Sequence, residues 1–314
     1  MSAISWDIVI VGGAYTDYVV RGQRLPTPGE TVLGQELLIL PGSKASNQAV
    51  AAARLGARVT LVTQVGADAR GDEIITGLRK EGVDTRYIRR DSSTPTGISL
   101  IQVDEHGHKQ MMVALGACHH LPTEAVMEAK EAIKATKILL TQLEVPLETV
   151  MTAVRLGCDA GKQVIFDPAP AQPVPNQLLC MVDIIKPDAK EAQALTGITV
   201  NDRNTARKAA LELLKHGIKV VAIQAGTQGD LLIWHGGECW LPRIPVKSVD
   251  TTGAGDAFIA ALSVALAEDR PLNEAGFFAS ATAALTTTML GARPALPRRD
   301  DVMALLVQLQ HMKR

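Results

Sequence analysis

The chain predicts a doubly wound α/β fold: a mostly parallel sheet with helices on both faces, and beside it a small separate β-sheet. Three features carry that expectation. Short apolar runs alternate in chain order with segments of helical, 3.6-residue periodicity. Most runs end in glycine or polar turn residues before the next helical pattern begins. Two stretches, 15–40 and 96–115, break this rhythm with alternating apolar and polar positions.

Taken in order, Asp7–Val11 is the first apolar strand and stops at Gly12-Gly13. Residues 15–40, punctuated by Pro26, Pro28 and Gly29, read as a hairpin. A helix is expected over Asn47–Leu55, a strand over Arg58–Gln64 and a helix over Asp72–Glu81. Residues 96–115 turn at Glu105-His106-Gly107-His108 and form a second hairpin, which joins the first in the small sheet. Strands at Lys137–Gln142, Val164–Asp167, Ile184–Lys186 and Lys219–Gln224 then interleave with helices at Leu147–Asp159, Arg203–His216 and Thr252–Ala267. One α/β domain over residues 1–314, carrying the two hairpins, accounts for the whole length.

A net charge of −1, from 32 Lys and Arg against 33 Asp and Glu, leaves no basic field to hold nucleic acid or an anionic membrane. No run of about 18 apolar residues offers a membrane span, and the first strand begins too early for a secretory signal, so a cytoplasmic compartment is expected. Cys118, Cys158, Cys180 and Cys239 lie far apart without paired spacing and read as reduced thiols.

The most informative stretch is Asp250-Thr251-Thr252-Gly253-Ala254-Gly255-Asp256, followed by the apolar run from Ala257 to Leu262. A helix N-terminus presents unpaired N–H groups and partial positive charge, so a phosphoryl group can sit against the amides of Gly253, Ala254 and Gly255. Asp256 would repel that phosphate, but suits the hydroxyl that attacks it, as general base. The bland alternative is a capped helix whose first turn carries two glycines and a dipole-favoured acid.

A second motif, Gly42-Ser43-Lys44-Ala45-Ser46-Asn47-Gln48 running into Ala49–Ala53, lies roughly two hundred residues earlier and again opens a helix. With Gln142-Leu143-Glu144 and Asp167-Pro168-Ala169-Pro170-Ala171 between them, the two motifs resemble, in order, the signatures of ribokinase-type members of the phosphofructokinase-B carbohydrate kinase family. The resemblance covers essentially the whole chain. It implies ATP-dependent phosphorylation of the primary hydroxyl of a small sugar, ribose or a related pentose. Alternatives are a family member acting on a nucleoside, deoxyribose or a ketohexose, and a non-catalytic sugar sensor. The two hairpins would form a lid over the sugar, and their apolar faces lead us to expect a homodimer.

Residue by residue, the resemblance implies a catalytic group of Asp256, the Gly253–Gly255 amides and Lys44. Sugar contacts would come from Asp17, Tyr15, Gly42, Ser43, Lys44, Asn47, Glu144 and Asp256. ATP would meet Asp188, Gln224, Gly226, Gly229, Gly253, Gly255 and Ser280, with Glu191 organising magnesium through water. Asp250, Thr252 and Gly291 would flank a monovalent cation such as potassium, although Ala295 stands where a serine ligand is usual. Three departures bear on the sugar: Ser43 and Ala45 replace glycines, and Tyr15 replaces asparagine. If either former glycine position needs a positive φ, the loop must be rebuilt.

Other features carry less. His119-His120 precedes Leu121-Pro122 in an expected loop with no partner at metal-ligand spacing, and Met111-Met112 continues an apolar strand. Arg89-Arg90 and Arg298-Arg299 are too short for a nucleic-acid patch. A dinucleotide-dependent oxidoreductase would need Gly-x-Gly-x-x-Gly after the first strand, and a P-loop enzyme Gly-x-x-x-x-Gly-Lys-Ser/Thr; neither is present.

Overall fold

A computed structural model describes residues 5–312. Its strands are β1 (Ile8–Val11), β2 (Tyr15–Arg21), β3 (Glu36–Gly42), β4 (Val59–Gly66), β5 (Ile88–Asp91), β6 (Thr96–Val103), β7 (Lys109–Gly116), β8 (Ile138–Thr141), β9 (Gln163–Phe166), β10 (Ile184–Ile185), β11 (Val220–Gln224), β12 (Gly229–Trp234) and β13 (Gly237–Pro242). Every side chain of β1 is buried, and successive residues enter different cores: Ile8 and Ile10 on one face, Val9 and Val11 on the other. A strand apolar on both sides belongs in the middle of a covered parallel sheet. There it lies, between β4 and β8, in the order β13-β12-β11-β10-β9-β8-β1-β4-β5. All pairings are parallel except the terminal β11–β12–β13 meander.

Helices Lys44–Arg54, Ala254–Ala267 and Leu272–Thr286 pack on the Ile8 face, and Leu147–Asp159 and Arg203–Leu214 on the Val9 face. Strand ends fall within one or two residues of the sequence expectation, whereas two helices start three residues early. Their caps explain it: Ser43 and Asp68 each accept a bond from the helix's own first turn, at Ser46 N–H and Gly71 N–H. The β12–β13 hairpin and the helices Leu272–Thr286 and Arg299–Met312 were not foreseen. Leu272–Thr286 is buried almost all round, so no polar stripe marks its period.

The two expected hairpins form a separate sheet, β3-β2-β6-β7, with β2 and β6 parallel at its centre. Asp17, Ser99 and Met111 face the main body. The opposite face carries a cross-strand row of Ile39, Tyr18, Leu100 and Met112. Met112 is 74 % exposed, so Met111-Met112 continues a strand as expected, but a strand whose apolar side chains are not buried. His119-His120, expected in a loop, ends a short 3₁₀ turn.

Candidate active site

Leaving β1, the chain moves to one side to build β4, then crosses to the other to build β8. Such a reversal opens a crevice at the carboxyl ends of the strands. A cavity of about 800 Å³ occupies it.

One end of the cavity is built by the small sheet and the loop after β3. A Cβ at Gly42 would lie 2.2 Å from Asp17 Oδ1, so glycine is what allows β3 to pass this carboxylate. Ser43 then adopts φ 79° and ψ 147°, a region that non-glycine residues enter at a cost of about 1–3 kcal/mol. Its hydroxyl donates to the Gly13 carbonyl at 2.6 Å and accepts from Ser46 N–H at 3.2 Å, which holds the turn. The conflict foreseen for the replaced glycines is therefore real at position 43. Ala45 is helical and carries no such strain.

Asp17 accepts the Ser99 hydroxyl, and burial raises its pKa against the lowering pull of that bond, Arg293 and Lys109. Glu144 stands in the loop after β8, only 6 % exposed. Its Oε1 accepts the Tyr15 hydroxyl at 2.7 Å and its Oε2 the Lys44 N–H at 2.8 Å. Burial pushes it up to about 7, opposed by Lys44 and the tyrosine.

Further in, Lys44 Nζ lies 3.6 Å from Asp167 and 3.9 Å from Asp256. Burial pulls the ammonium down, but these carboxylates hold it above its ordinary pKa. Asp256 accepts from Asn47 Nδ2 at 3.1 Å and from Gln48 Nε2 at 3.2 Å, so both oxygens are oriented. Burial first, then Asp167, raise it to about 6, with Lys44 and the two amides opposing. A carboxylate 6 % exposed, aimed and poised near neutrality, has the properties of a general base.

Asp256 stands in the first turn of the helix Ala254–Ala267, where the expected amides gather. Gly253 caps it at φ 81°, and a Cβ there would lie 2.8 Å from Ala292. Only glycine admits both the turn and the neighbour. Gly253, Ala254 and Gly255 line the same cavity as Lys44, but the Ala254 N–H, expected in the cradle, is turned back onto the Thr251 carbonyl at 3.2 Å, so among the described residues the Gly253 and Gly255 amides are the two left open to an anion.

At the other end, Asp188 and Glu191 cap the helix Ala189–Thr196 reciprocally: Glu191 N–H donates to Asp188 Oδ1 at 2.8 Å and Asp188 N–H to Glu191 Oε2 at 2.7 Å. Burial and Asp167 raise Glu191, which Lys44 opposes. Gln224 and Gly226 also line this end. Two of the expected ATP residues do not. Gly229 opens β12 and packs against the Leu241 carbonyl, and Ser280 is buried in the middle of the helix Leu272–Thr286.

Asp250 closes a loop beside the cradle, its Oδ1 accepting from Thr252 N–H at 2.9 Å and Oγ1 at 2.7 Å, and its Oδ2 from Gly291 N–H at 2.9 Å. Asp250 and Gly291 line an adjoining cavity against the small sheet, which Thr252 shares with the first. Ala295 offers no hydroxyl there.

Sequence reasoning missed Gln48, Asp167 and Lys186, all at the reacting centre. Gln48 was within reach: Lys44, Asn47 and Gln48 stand at i, i+3 and i+4, one face of a helix. It donates to Asp167 at 2.9 Å as well as to Asp256, and accepts from Gln142.

These motifs, in this order around one crevice, match the model of the pfkB family carbohydrate kinases over residues 6–299. The chain belongs to the PfkB family of carbohydrate kinases. It is an enzyme that moves a phosphoryl group to a carbohydrate hydroxyl. Among curated relatives it is 36% identical over 299 residues to the ribokinase of Haemophilus influenzae, covering 95% of this chain and 98% of that one. The deoxyribokinase of Salmonella typhi is 34% identical over 254 residues, 81% of this chain and 83% of its own. Among solved structures, the ribokinase of Arabidopsis thaliana, complexed with ribose and ATP, superposes with a TM-score of 0.90 at 32% identity, covering 96% of this kinase and 99% of that chain.

Proposed function

We propose that this kinase phosphorylates the primary hydroxyl of D-ribose or a closely related pentose, with ATP as donor. One observation carries the reading. The buried carboxylate of Asp256 stands where the carbohydrate end of the cavity meets a helix start with open amides, and Lys44 lies within 3.9 Å of it. The similarity to a ribokinase complexed with ribose and ATP supports the choice of sugar and donor.

In this reading Asp17, Lys44, Asn47 and Glu144 bind the sugar, with Gly42 and Ser43 shaping the loop, and orient its hydroxyl toward Asp256. Asp256 takes the hydroxyl proton as the phosphoryl group transfers. The amides of Gly253 and Gly255 stabilise the charge developing on that group, and Lys44 adds positive charge. Gln224 and Gly226 lie at the nucleotide end. Asp188 and Glu191 are hard oxygen donors at the phosphate side, a set that suits magnesium; bound there through water, the ion would neutralise phosphate charge. Asp250, Thr252 and the backbone at Gly291 would hold a monovalent cation beside the cradle.

The lid's outward row of Ile39, Leu100 and Met112 supports a homodimer paired through that sheet. Reduced thiols accord with a cytoplasmic site, since all four cysteines are free. The activity is tested by ADP release from purified protein over ribose, 2-deoxyribose, ketohexoses and nucleosides. Turnover confined to pentoses is expected; preference for a nucleoside or ketohexose, or silence across the panel, would overturn the reading.

A further inference from the structure

Behind the carbohydrate loop, on the side away from the cavity, lies a buried guanidinium. Arg293 belongs to the short helix Ala292–Ala295 and is 6 % exposed. Its Nη2 donates to Ser46 Oγ at 2.6 Å, while its Nε is buried without a hydrogen-bond partner among the described residues. No carboxylate is within ion-pair distance among those residues; Glu81 and Asp17 act on it only through space, and burial pulls it down to about 10. Burying a cation on such terms is costly. An apolar side chain of similar length would fill the site at lower cost, so what Arg293 holds is the point of interest.

It holds Ser46. The Ser46 hydroxyl donates onward to the Gly42 carbonyl, and the Ser46 N–H donates to Ser43 Oγ, which itself donates to the Gly13 carbonyl. One contact from Arg293 thus reaches both backbone walls of the carbohydrate end, Gly42-Ser43 and Gly13. The turn needs external support because Ser43 sits at φ 79° without being glycine. Arg293 is itself well anchored. Arg54 Nη1 donates to the carbonyls of Arg293 at 3.1 Å and Leu296 at 2.6 Å, and Glu81 pairs with Arg54 at 2.6 Å. On its other side the segment touches the cradle, Ala292 against Gly253 and Gly291 N–H on Asp250.

We propose that Arg293 is a positioning residue for the carbohydrate site: its guanidinium clamps Ser46 and thereby keeps Gly42 and Ser43 in the turn that frames Asp17 and presents Lys44. Its charge also favours the ionised form of Asp17, in the same direction as Lys109 on the lid. The proposal rests on reading this end of the cavity as the sugar site.

Arg293→Met, Arg293→Lys and Ser46→Ala are compared with wild type, varying D-ribose and ATP separately and measuring ADP affinity by calorimetry. Losing a hydrogen bond to a charged group in a buried site should raise KM for ribose about tenfold in the methionine and alanine variants. KM for ATP and ADP affinity should stay within about twofold, because the nucleotide end is not clamped this way. The lysine variant, keeping charge and a donor, should return to within about threefold of wild type, and the double variant Arg293→Met/Ser46→Ala should be no worse than the poorer single, since one link is broken in each. Equal rises in both KM values, a lowered Tm with ribose KM unchanged, or a lysine variant as impaired as methionine would overturn the proposal. If Arg293→Met does not fold, Ser46→Ala, which keeps the buried cation, decides by the same split. Wild-type turnover of ribose is measured first: its absence counts against the choice of sugar alone, and the variants are then compared on whichever panel sugar wild type phosphorylates.

Discussion

The Tyr15 hydroxyl donates to Glu144 Oε1 at 2.7 Å, joining the start of β2 to the loop after β8 at the end of the cavity proposed for the sugar. Glu144 also takes the Lys44 N–H, so each of its oxygens is engaged before any sugar arrives. The phenol spends its one donor on a neighbour and turns a ring to the cavity, where an amide would offer a donor and an acceptor to a diol.

Sugar choice should therefore respond to this pair. Tyr15→Asn with Ser43→Gly frees Glu144 Oε1 and supplies an amide, and a site that pairs with a hydroxyl rejects the analogue lacking it. The ratio of kcat/KM for D-ribose to that for 2-deoxy-D-ribose is expected to rise by about tenfold or more, if each change recovers about 1 kcal/mol. Steady-state kinetics on both sugars check this; an unchanged ratio removes these positions from sugar discrimination.

Asp256→Asn keeps the shape and one acceptor oxygen for the two amide donors Asn47 and Gln48, but cannot take a proton. Turnover is expected to fall by about 10²–10⁴-fold while ADP affinity stays near wild type. Retention of more than about a tenth of wild-type turnover would show that another group is the base.

Why the two helix-start motifs were legible while several of their partners were not follows from sequence distance. Asp256, Gly253 and Gly255 lie within four residues, and so do Lys44 and Asn47, so each motif carries its own geometry at a helix start. Asp167 and Arg293 do their work over 119 and 247 residues, through Gln48 and Ser46 respectively. The segment that opens with Asp167 is marked by resemblance, but nothing local ties its carboxylate to Gln48, and nothing local marks Arg293. Ser280 shows the converse: placed at the nucleotide by likeness, it is a buried residue of the helix Leu272–Thr286 outside the cavity lining. In the fold, strands with two apolar faces announced themselves, while β12 and β13 escaped because a short antiparallel meander lacks the βα rhythm.

The lid predicts a measurable assembly. Leu100 and Met112 face each other across β6 and β7 on the outer surface, 51% and 74% exposed. Charges placed there cannot be buried against a second copy without large cost. Wild type is expected to be a dimer by light scattering at micromolar concentration, and Leu100→Lys with Met112→Lys a monomer of similar Tm. A monomeric wild type, with or without sugar, would sink the dimer.

Four carboxyl groups, Glu144, Asp167, Glu191 and Asp256, act on one ammonium, Lys44, and this predicts opposite pH responses for activity and stability. With Asp256 as the proposed base, activity requires its ionised form, so kcat/KM should fall as pH drops through about 6, the value to which burial raises this group. Stability runs the other way. Asp256 is raised from 3.8 to about 6, and Glu144 from 4.5 to about 7. A raised folded pKa means that the neutral form is favoured in the fold, so the contribution is fully present below the unfolded values and is lost as pH rises through the folded ones. Lys44, raised in turn, stays charged throughout that window and does not reverse the trend. The Tm of wild type is expected to decline between about pH 4.5 and pH 7, a tenfold difference in proton affinity between the folded and unfolded chain being worth about 1.4 kcal/mol. Asp256→Asn removes one of the ionisations, so its Tm should exceed that of wild type at pH 8 and the gap should narrow toward pH 5. Calorimetric scans of both proteins from pH 5 to 8 check this, and a gap independent of pH would mean that Asp256 is not destabilising in its ionised form.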